Sequence, residues 1–312
     1  MKIYLAPMEG LTGYIFRNAF NEIYGSVDKY FAPFISPTVK SPMTSRERKD
    51  LIPENNEGIA LVPQILTSGS DLFIEAAGEL KAMGYKEINL NLGCPSGTVC
   101  AKGKGAGFLP ETLALTRFLN DIYSYSESEG IKISIKTRLG YYDPEEFYDL
   151  MKIFNGFPVS ELIVHPRIRG DFYKGEIRTE FFSYAIENSN CPLVYNGNIF
   201  TSEDYDRFCG IFGRTLDPVM TGRGLISDPS LADKIRGEVK ETDLNRFHIF
   251  HDMLYREYQK VMSPDINVLY RMKELWSYWK DMFEGREKDI KRLMKAKKYA
   301  EYEAVVYGNL LP

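Results

Sequence analysis

Few side chains in this sequence combine reactivity with a setting able to use it, and Cys94 is the first of them. It stands in Asn91-Leu92-Gly93-Cys94-Pro95-Ser96, directly after an apolar run. A thiol in such a loop can act as a nucleophile or as a proton donor. A free cysteine can equally be a small buried hydrophobe, and position alone leaves these readings open. The stretch that follows, Gly97-Thr98-Val99-Cys100-Ala101-Lys102-Gly103-Lys104-Gly105-Ala106-Gly107, has no large apolar residue except Val99. That is the composition of a mobile lid. Cys100 reads as incidental, and Cys191 and Cys209 read as core. The cysteines form no CxxC pair and no His/Cys spacing matches a zinc site, so no metal is expected. Free thiols fit a reducing, cytoplasmic setting.

Three further groups could carry chemistry. Lys136-Thr137-Arg138 ends an apolar run in which Lys136 shares alternation parity with Lys132 and Ser134, opposite Ile131, Ile133 and Ile135. A lysine at such a mouth can hold an anionic or electron-rich cofactor atom; a solvated strand end is the plain alternative. His165-Pro166-Arg167 ends another run, and His165 is one of only 3 histidines; a lone histidine is often structural, but a strand end favours function. Asn196-Gly197-Asn198 and Gly222-Arg223-Gly224 end two later runs. Glycine lets backbone N–H groups approach a phosphate, and arginine adds charge-assisted hydrogen bonds. Asn-Gly is also an ordinary turn, so it is the two motifs together that point to a phosphate-bearing ligand.

These residues need strands to position them. The apolar runs are Ile3–Ala6, Tyr30–Ile35, Ile59–Ile65, Glu87–Asn91, Lys132–Lys136, Glu161–His165, Leu193–Asn196 and Pro218–Thr221. They are rich in Val, Ile and Leu and bounded by Gly, Pro or Asn, as buried parallel strands are. Between them lie helical patterns, such as Phe147, Leu150, Met151 and Phe154 behind the cap Asp143-Pro144-Glu145-Glu146. Eight βα units predict an α/β fold, a TIM (β/α)8 barrel; a doubly wound open sheet is the alternative. The barrel is preferred because polar residues recur at the strand ends (Gln64, Asn91, Lys136, Arg138, His165, Asn196 and Gly222), and a barrel brings those ends to one face.

From about Asp243 the strand signals stop. Leu269, Met272, Trp276, Trp279 and Phe283 form a helical seam. A later helix places Lys288, Lys291, Arg292, Lys295 and Lys298 on one face, and Ile290, Leu293 and Met294 on the other. The chain is therefore expected to divide into a catalytic barrel, residues 1–242, and a small C-terminal all-helical domain, residues 243–312. The net charge of −4 over the 312 residues argues against nucleic acid, yet residues 286–298 are strongly basic, and distribution matters more than the sum. The opening Met1-Lys2-Ile3-Tyr4-Leu5 is too short and polar for a signal peptide. No run approaches the roughly 18 apolar residues of a membrane span, so no membrane partner is expected.

Taken in order, Ala6-Pro7-Met8-Glu9-Gly10, Gly93-Cys94-Pro95-Ser96, Lys136-Thr137-Arg138-Leu139-Gly140, His165-Pro166-Arg167 and Gly222-Arg223-Gly224 resemble the motifs of tRNA-dihydrouridine synthases, most of all the bacterial branch. The likeness extends through Tyr270-Arg271-Met272-Lys273-Glu274-Leu275-Trp276. It implies reduction of a specific tRNA uridine to 5,6-dihydrouridine, with FMN at the barrel mouth and NADPH as reductant. By the same resemblance Pro7, Met8 and Glu9 lie along the isoalloxazine ring and Gln64 bonds its polar edge. Lys136 sits at its N1/O2 side, and His165, Asn196, Gly197, Asn198, Gly222 and Arg223 hold the phosphate. Cys94 matches the general acid that gives a proton to uracil C5 while hydride goes to C6. Asn91 and Arg138 face the uridine, and Arg271, Lys273, Lys291, Arg292 and Lys295 in the helical domain contact the tRNA. A cytoplasmic monomer is expected. The chain departs from the family pattern at Gly97, Cys100, Lys102 and Lys104, and at Ser36 and Pro37, where some relatives carry a basic residue. A small-molecule FMN reductase, such as a dihydroorotate dehydrogenase or an ene-reductase, would share the flavin residues but has no reason to carry a basic helical domain. A tRNA binder without catalysis has no reason to keep Cys94, Lys136 and Arg223.

Overall fold

The computed structural model describes residues 1–312. Its parallel strands are β1 (Ile3–Leu5), β2 (Lys29–Phe31), β3 (Leu61–Val62), β4 (Gln64–Ile65), β5 (Glu87–Leu92), β6 (Lys132–Gly140), β7 (Leu162–Ile168), β8 (Leu193–Asn196) and β9 (Val219–Thr221). Their spatial order is β3-β2-β1-β9-β8-β7-β6-β5-β4. The two ends of that order, β3 and β4, are neighbours in the chain, separated only by Pro63. Proline has no N–H to give to a ladder, so one strand is split in two. β3 pairs with β2 and β4 pairs with β5. The Pro63 carbonyl still accepts from Asn89 N at 2.9 Å, and Ile35 N donates to Gln64 O at 2.8 Å. The hydrogen-bonded path therefore runs right round the ring. The sheet is an eight-stranded TIM barrel with its third strand broken at a proline, and the open doubly wound sheet is excluded.

Side chains alternate across each strand, and this decides what fills the barrel. Outward residues such as Ile133, Ile135, Leu162 and Val164 join one large apolar core of 76 residues beneath the surrounding helices. The inside is small by comparison: Tyr4, Ala6, Phe31, Val62, Ile163, Val194 and Met220 form a separate cluster. The same inward parity carries Asn89 and Asn91 on β5 and Ser134 and Lys136 on β6, with Asn91 beside Lys136 in register. Below the apolar layer, Lys29 Nζ bonds Glu161 at 2.7 Å and Glu87 at 3.1 Å, and Tyr4 Oη donates to Glu161. This ionic group closes the floor of the barrel.

Two strands run past their expected ends. β6 continues to Gly140 and β7 to Ile168, with a register shift between Arg138 and Gly140. They raise Arg138 and Arg167 above the rim on strand backbone rather than on loops.

After β9 the chain is helical. The main helices span Leu244–Val261, Asp265–Trp279, Glu287–Lys295 and Tyr299–Val305. The seam of Leu269, Met272, Trp276 and Trp279 is fully buried. On helix Glu287–Lys295, Ile290 and Leu293 are buried, whereas Met294 is 40% exposed rather than on the buried face. Lys298 lies beyond the end of that helix. These helices share the barrel's core. Phe250 packs edge-on against Phe16, Phe20 and Tyr24, with centroids 5.4–6.0 Å apart. Trp279 Nε1 donates to Ile226 O, just past β9, at 2.9 Å. No helix is long and apolar enough to cross a membrane.

Within this region Trp276 Nε1 donates to Tyr302 Oη at 2.8 Å, and Tyr302 Oη lies 2.7 Å from His251 Nε2. His251 Nδ1 meets Asp252 Oδ1 at 3.1 Å, which places the imidazole proton on Nδ1 and makes Nε2 the acceptor for Tyr302. Tyr302→Phe strands one buried donor and one buried acceptor. It is expected to lower stability by about 2–4 kcal/mol, read as a shift of the urea midpoint with unchanged slope.

Candidate active site

A pocket opens at the C-terminal ends of the strands. Its wall takes Pro7, Met8 and Glu9 from the turn after β1, Gln64 from β4, and Asn91, Gly93 and Cys94 from the end of β5. It takes Lys136 and Arg138 from β6, His165 from β7, Asn196 and Gly197 after β8, and Gly222 and Arg223 after β9. Of the residues the sequence assigns to a cofactor or to the reaction, only Asn198 is outside this wall. It stands just behind, where its Oδ1 accepts from Arg167 at 3.1 Å and from Arg223 at 2.9 Å.

Cys94 is held by its backbone. Asn91 Oδ1 accepts from Cys94 N at 2.9 Å and from Gly93 N at 3.0 Å. Asn91 Nδ2 donates to Gln64 Oε1, Gln64 Nε2 to Asn89 Oδ1, and Asn89 Nδ2 to Ser134 Oγ. This chain of amides crosses the barrel interior beneath the pocket. Arg138 donates to Gly93 O, Ile168 O and Phe172 O at 2.7–3.0 Å. Asn91 and Arg138 therefore line the pocket, and both also bind the Cys94 loop: Asn91 through two backbone N–H groups, and Arg138 through Gly93 O, its other two bonds going to the segment after β7.

The glycine-rich stretch, whose composition suggests a mobile lid, has regular structure. It folds into a short helix, Gly97–Cys100, and a 3-10 turn, Gly105–Phe108. Ala106 N and Cys100 Sγ both donate to Cys94 O. Gly105 has φ +57°, and a Cβ there would lie 2.9 Å from Cys94 O. The glycine serves close packing against Cys94, which composition cannot distinguish from mobility. Lys104 reaches across to Ser36 Oγ at 3.3 Å.

The opposite property, unneutralised charge, marks the rest of the wall. Lys136, Arg138 and Arg223 converge there with Arg167 close behind, and none of them forms an ion pair with a carboxylate; Asp171 is paired with Arg178, and Glu9 is the acid in the wall itself. Burial and the charge of Arg138 push Lys136 down to about 7. Burial, with Arg138, Lys136, Arg167 and Arg223 around it, holds His165 neutral, well below its ordinary value. Arg167 Nη1 lies 3.1 Å from His165 Nε2. Arginine can only donate, so Nε2 is the acceptor and the imidazole keeps its proton on Nδ1, free for a ligand. Burial raises the Cys94 thiol above its usual pKa. The N–H groups of Gly197, Asn198 and Gly222 donate to no protein acceptor. A Cβ on Gly222 would come within 3.1 Å of Met8 Sδ and Ala6 Cβ. Free N–H groups, a glycine with no room for a side chain and surplus positive charge are the fittings of a phosphate site.

Sequence reading missed Arg167, although its parity with His165 on β7 points it the same way. It also missed Tyr173, whose ring lies 5.1 Å from the Arg223 guanidinium and 5.5 Å from that of Arg138; nothing in the irregular segment after β7 signals it. The helical-region residues lie elsewhere. Arg271 approaches Gly10 and pairs with Glu274 at 2.6 Å. Lys273 donates to Ala296 O at 2.8 Å, at the end of helix Glu287–Lys295. Lys291, Arg292 and Lys295 are exposed on that helix, away from the pocket. No group of three or more His, Cys, Asp or Glu side chains is placed to hold a metal ion.

Comparison with known proteins gives a consistent result. Residues 4–306 match the family model described as dihydrouridine synthase. A probable tRNA-dihydrouridine synthase of Staphylococcus epidermidis is 30% identical over 265 residues, covering 82% of this chain and 78% of the relative. A tRNA-dihydrouridine(16) synthase of Cupriavidus necator is 28% identical, covering 76% of this chain and 74% of the relative. Among solved structures, a variant of NCR from Zymomonas mobilis superimposes with a TM-score of 0.52 at 12% identity, over 80% of this chain and 90% of that one, a likeness of fold alone.

Gly105→Ala tests the packing around Cys94. A side chain at this positive φ costs more than about 1 kcal/mol and pushes the loop off Cys94. The variant should melt lower and alkylate faster at Cys94 with iodoacetamide; an unchanged alkylation rate removes Gly105 from that role.

Proposed function

The chain belongs to the dihydrouridine synthase family, and on that footing we propose that it reduces a tRNA uridine to 5,6-dihydrouridine at the barrel mouth, with FMN bound there and NADPH as reductant. The observation that carries this reading is the presence, in one pocket, of a half-buried thiol and a cluster of basic side chains that enter no ion pair. A flavin phosphate would meet Arg223, Asn196, the His165 Nδ1–H and the free N–H groups of Gly197, Asn198 and Gly222, with Arg167 behind His165 and Asn198. Lys136 and Gln64 would meet the ring, with Pro7, Met8 and Glu9 along it. Bound there and reduced by NADPH, FMN would supply the hydride for uracil C6.

Every other step falls to the chain itself. Cys94 gives a proton to C5. Its raised pKa keeps the thiol protonated at neutral pH, as an acid must be before it donates. The thiolate left behind lies near Arg138 and Lys136, whose charges stabilise it until water returns a proton. Asn91 and Arg138 fix the loop so that the thiol meets the base at one position. The target base must leave its stack to enter the pocket. Residues 243–312 would act as a tRNA-gripping domain through phosphates and shape, with Lys291, Arg292 and Lys295 presented to solvent. A cytoplasmic monomer fits this work.

Three outcomes are expected. Cys94→Ala binds FMN and is reduced by NADPH yet forms no dihydrouridine, read by nucleoside mass spectrometry; normal product formation removes the thiol from the proton transfer. Lys136 is charged below about pH 7 and neutral above it, and the electron-rich flavin edge favours the charged form. FMN affinity of the apoprotein therefore falls as pH rises through about 7, and in Lys136→Met it is weaker and flat with pH. Reversing Lys291, Arg292 and Lys295 to Glu weakens tRNA binding and lowers its salt dependence; unchanged binding moves the contact elsewhere.

A further inference from the structure

A second cavity, of about 590 Å³, lies beside the pocket and shares Glu9, Pro33 and Phe34 with it. That is a ligand-sized volume. It is framed by the turn after β1, by helix Ser45–Leu51, and by Tyr258 and Arg271 of the C-terminal helices. It sits where the barrel mouth meets the helical region.

Its charges are one-sided in effect. The Asp50 carboxylate is taken by Arg17 at 3.1 Å and by Tyr14 N at 2.6 Å. Glu47 accepts from Ser36 N and Thr44 N. Both acids are thus spent on the local fold. Glu9 stands on the shared wall, where burial raises its carboxyl pKa. On the other side Arg46 and Lys49 are exposed and enter no ion pair, and Arg271 joins them at the rim, paired only with the exposed Glu274. Two aromatic rings, Tyr14 and Phe34, are half-buried in the lining, and Lys49 Nζ stands 6.0 Å from the Tyr14 centroid. Cations beside part-exposed rings are what single-stranded nucleic acid binds: phosphate to the charge, base to the ring face.

We infer that this cavity receives a nucleotide flanking the one that enters the pocket, its phosphate held by Arg46, Lys49 and Arg271 and its base against Tyr14 or Phe34. The inference rests on the proposed tRNA substrate. A nucleotide drawn into the pocket stays covalently joined to its neighbours, so a neighbour must lie at the rim, and here the rim is a lined cavity sharing a wall with the pocket. This assigns a role to the first two βα loops, whose Arg46, Lys49 and Tyr14 the flavin chemistry does not use.

Two measurements on the FMN-loaded enzyme test it. 4-Thiouridine is placed in a tRNA transcript immediately before or after the reduced uridine, and the complex is irradiated. Crosslinks are expected in peptides 9–15 or 33–51; crosslinks confined to helix Glu287–Lys295 overturn the inference. Arg46→Ala/Lys49→Ala should raise KM for tRNA about tenfold with kcat within twofold. The slope of log affinity against log salt should fall by about 0.7, one single-strand phosphate contact. FMN content and NADPH oxidation are unchanged, which separates the effect from misfolding. Unaltered KM and slope overturn the inference. If the wild-type enzyme forms no dihydrouridine, the function itself is at fault; if it does and only these effects are missing, the subsite alone falls.

Discussion

Four basic side chains, Lys136, Arg138, Arg167 and Arg223, gather at the barrel mouth and none of them is paired with a carboxylate, and much of the surrounding structure is arranged around that fact. Gathered cations lower one another's pKa and repel. They stay together because the backbone takes up their donors: Arg138 binds three carbonyls, Arg167 binds the Gly175 carbonyl at 2.7 Å, and one amide oxygen, that of Asn198, serves both Arg167 and Arg223. The same field keeps His165 neutral and sets its tautomer. Carbonyl oxygens satisfy hydrogen bonds without cancelling charge, so the wall is geometrically satisfied and still electrically positive. The proposed anion would meet a geometry that is already largely built.

This charge is also tied to the thiol. Arg138 reaches from β6 to Gly93, one residue before Cys94, and from there to the segment after β7. The reactive loop is thereby fixed from the cation side, while Asn91 fixes it from the barrel interior. The two halves of the proposed chemistry, holding an anion and giving up a proton, are mechanically one unit.

Strand alternation made much of this readable in the sequence. Period two gave the direction of Lys136, strand-end position put Asn91 and His165 at the barrel mouth, and parity with His165 would have added Arg167 had β7 been extended by two residues. The barrel itself followed from eight apolar runs, although nothing in composition showed that one of them would break at Pro63. What stayed hidden depends on contacts between distant segments. The glycines after Cys94 read as freedom, but Gly105 is required because Cys94 is already there. Arg138 reads as a group facing a substrate, but three carbonyls from two loops claim it. Met294 fits a helical periodicity yet is left outside because the helix meets its neighbours on a narrower face. Periodicity reports which way a side chain points and not what waits for it.

The bond from Trp279 to Ile226 has a meaning for how such proteins can diversify. Ile226 lies three residues after Arg223, so the indole holds the helical turn that carries this arginine at the pocket wall. With Phe250 wedged against the first barrel helix, the C-terminal helices are part of the foundation of the mouth. They cannot be traded between relatives as a cassette. A graft that redirects the enzyme to another RNA must carry its barrel-facing residues unchanged and vary only the outer surface, so new target choice is expected to arise by resurfacing in place rather than by recombination of parts.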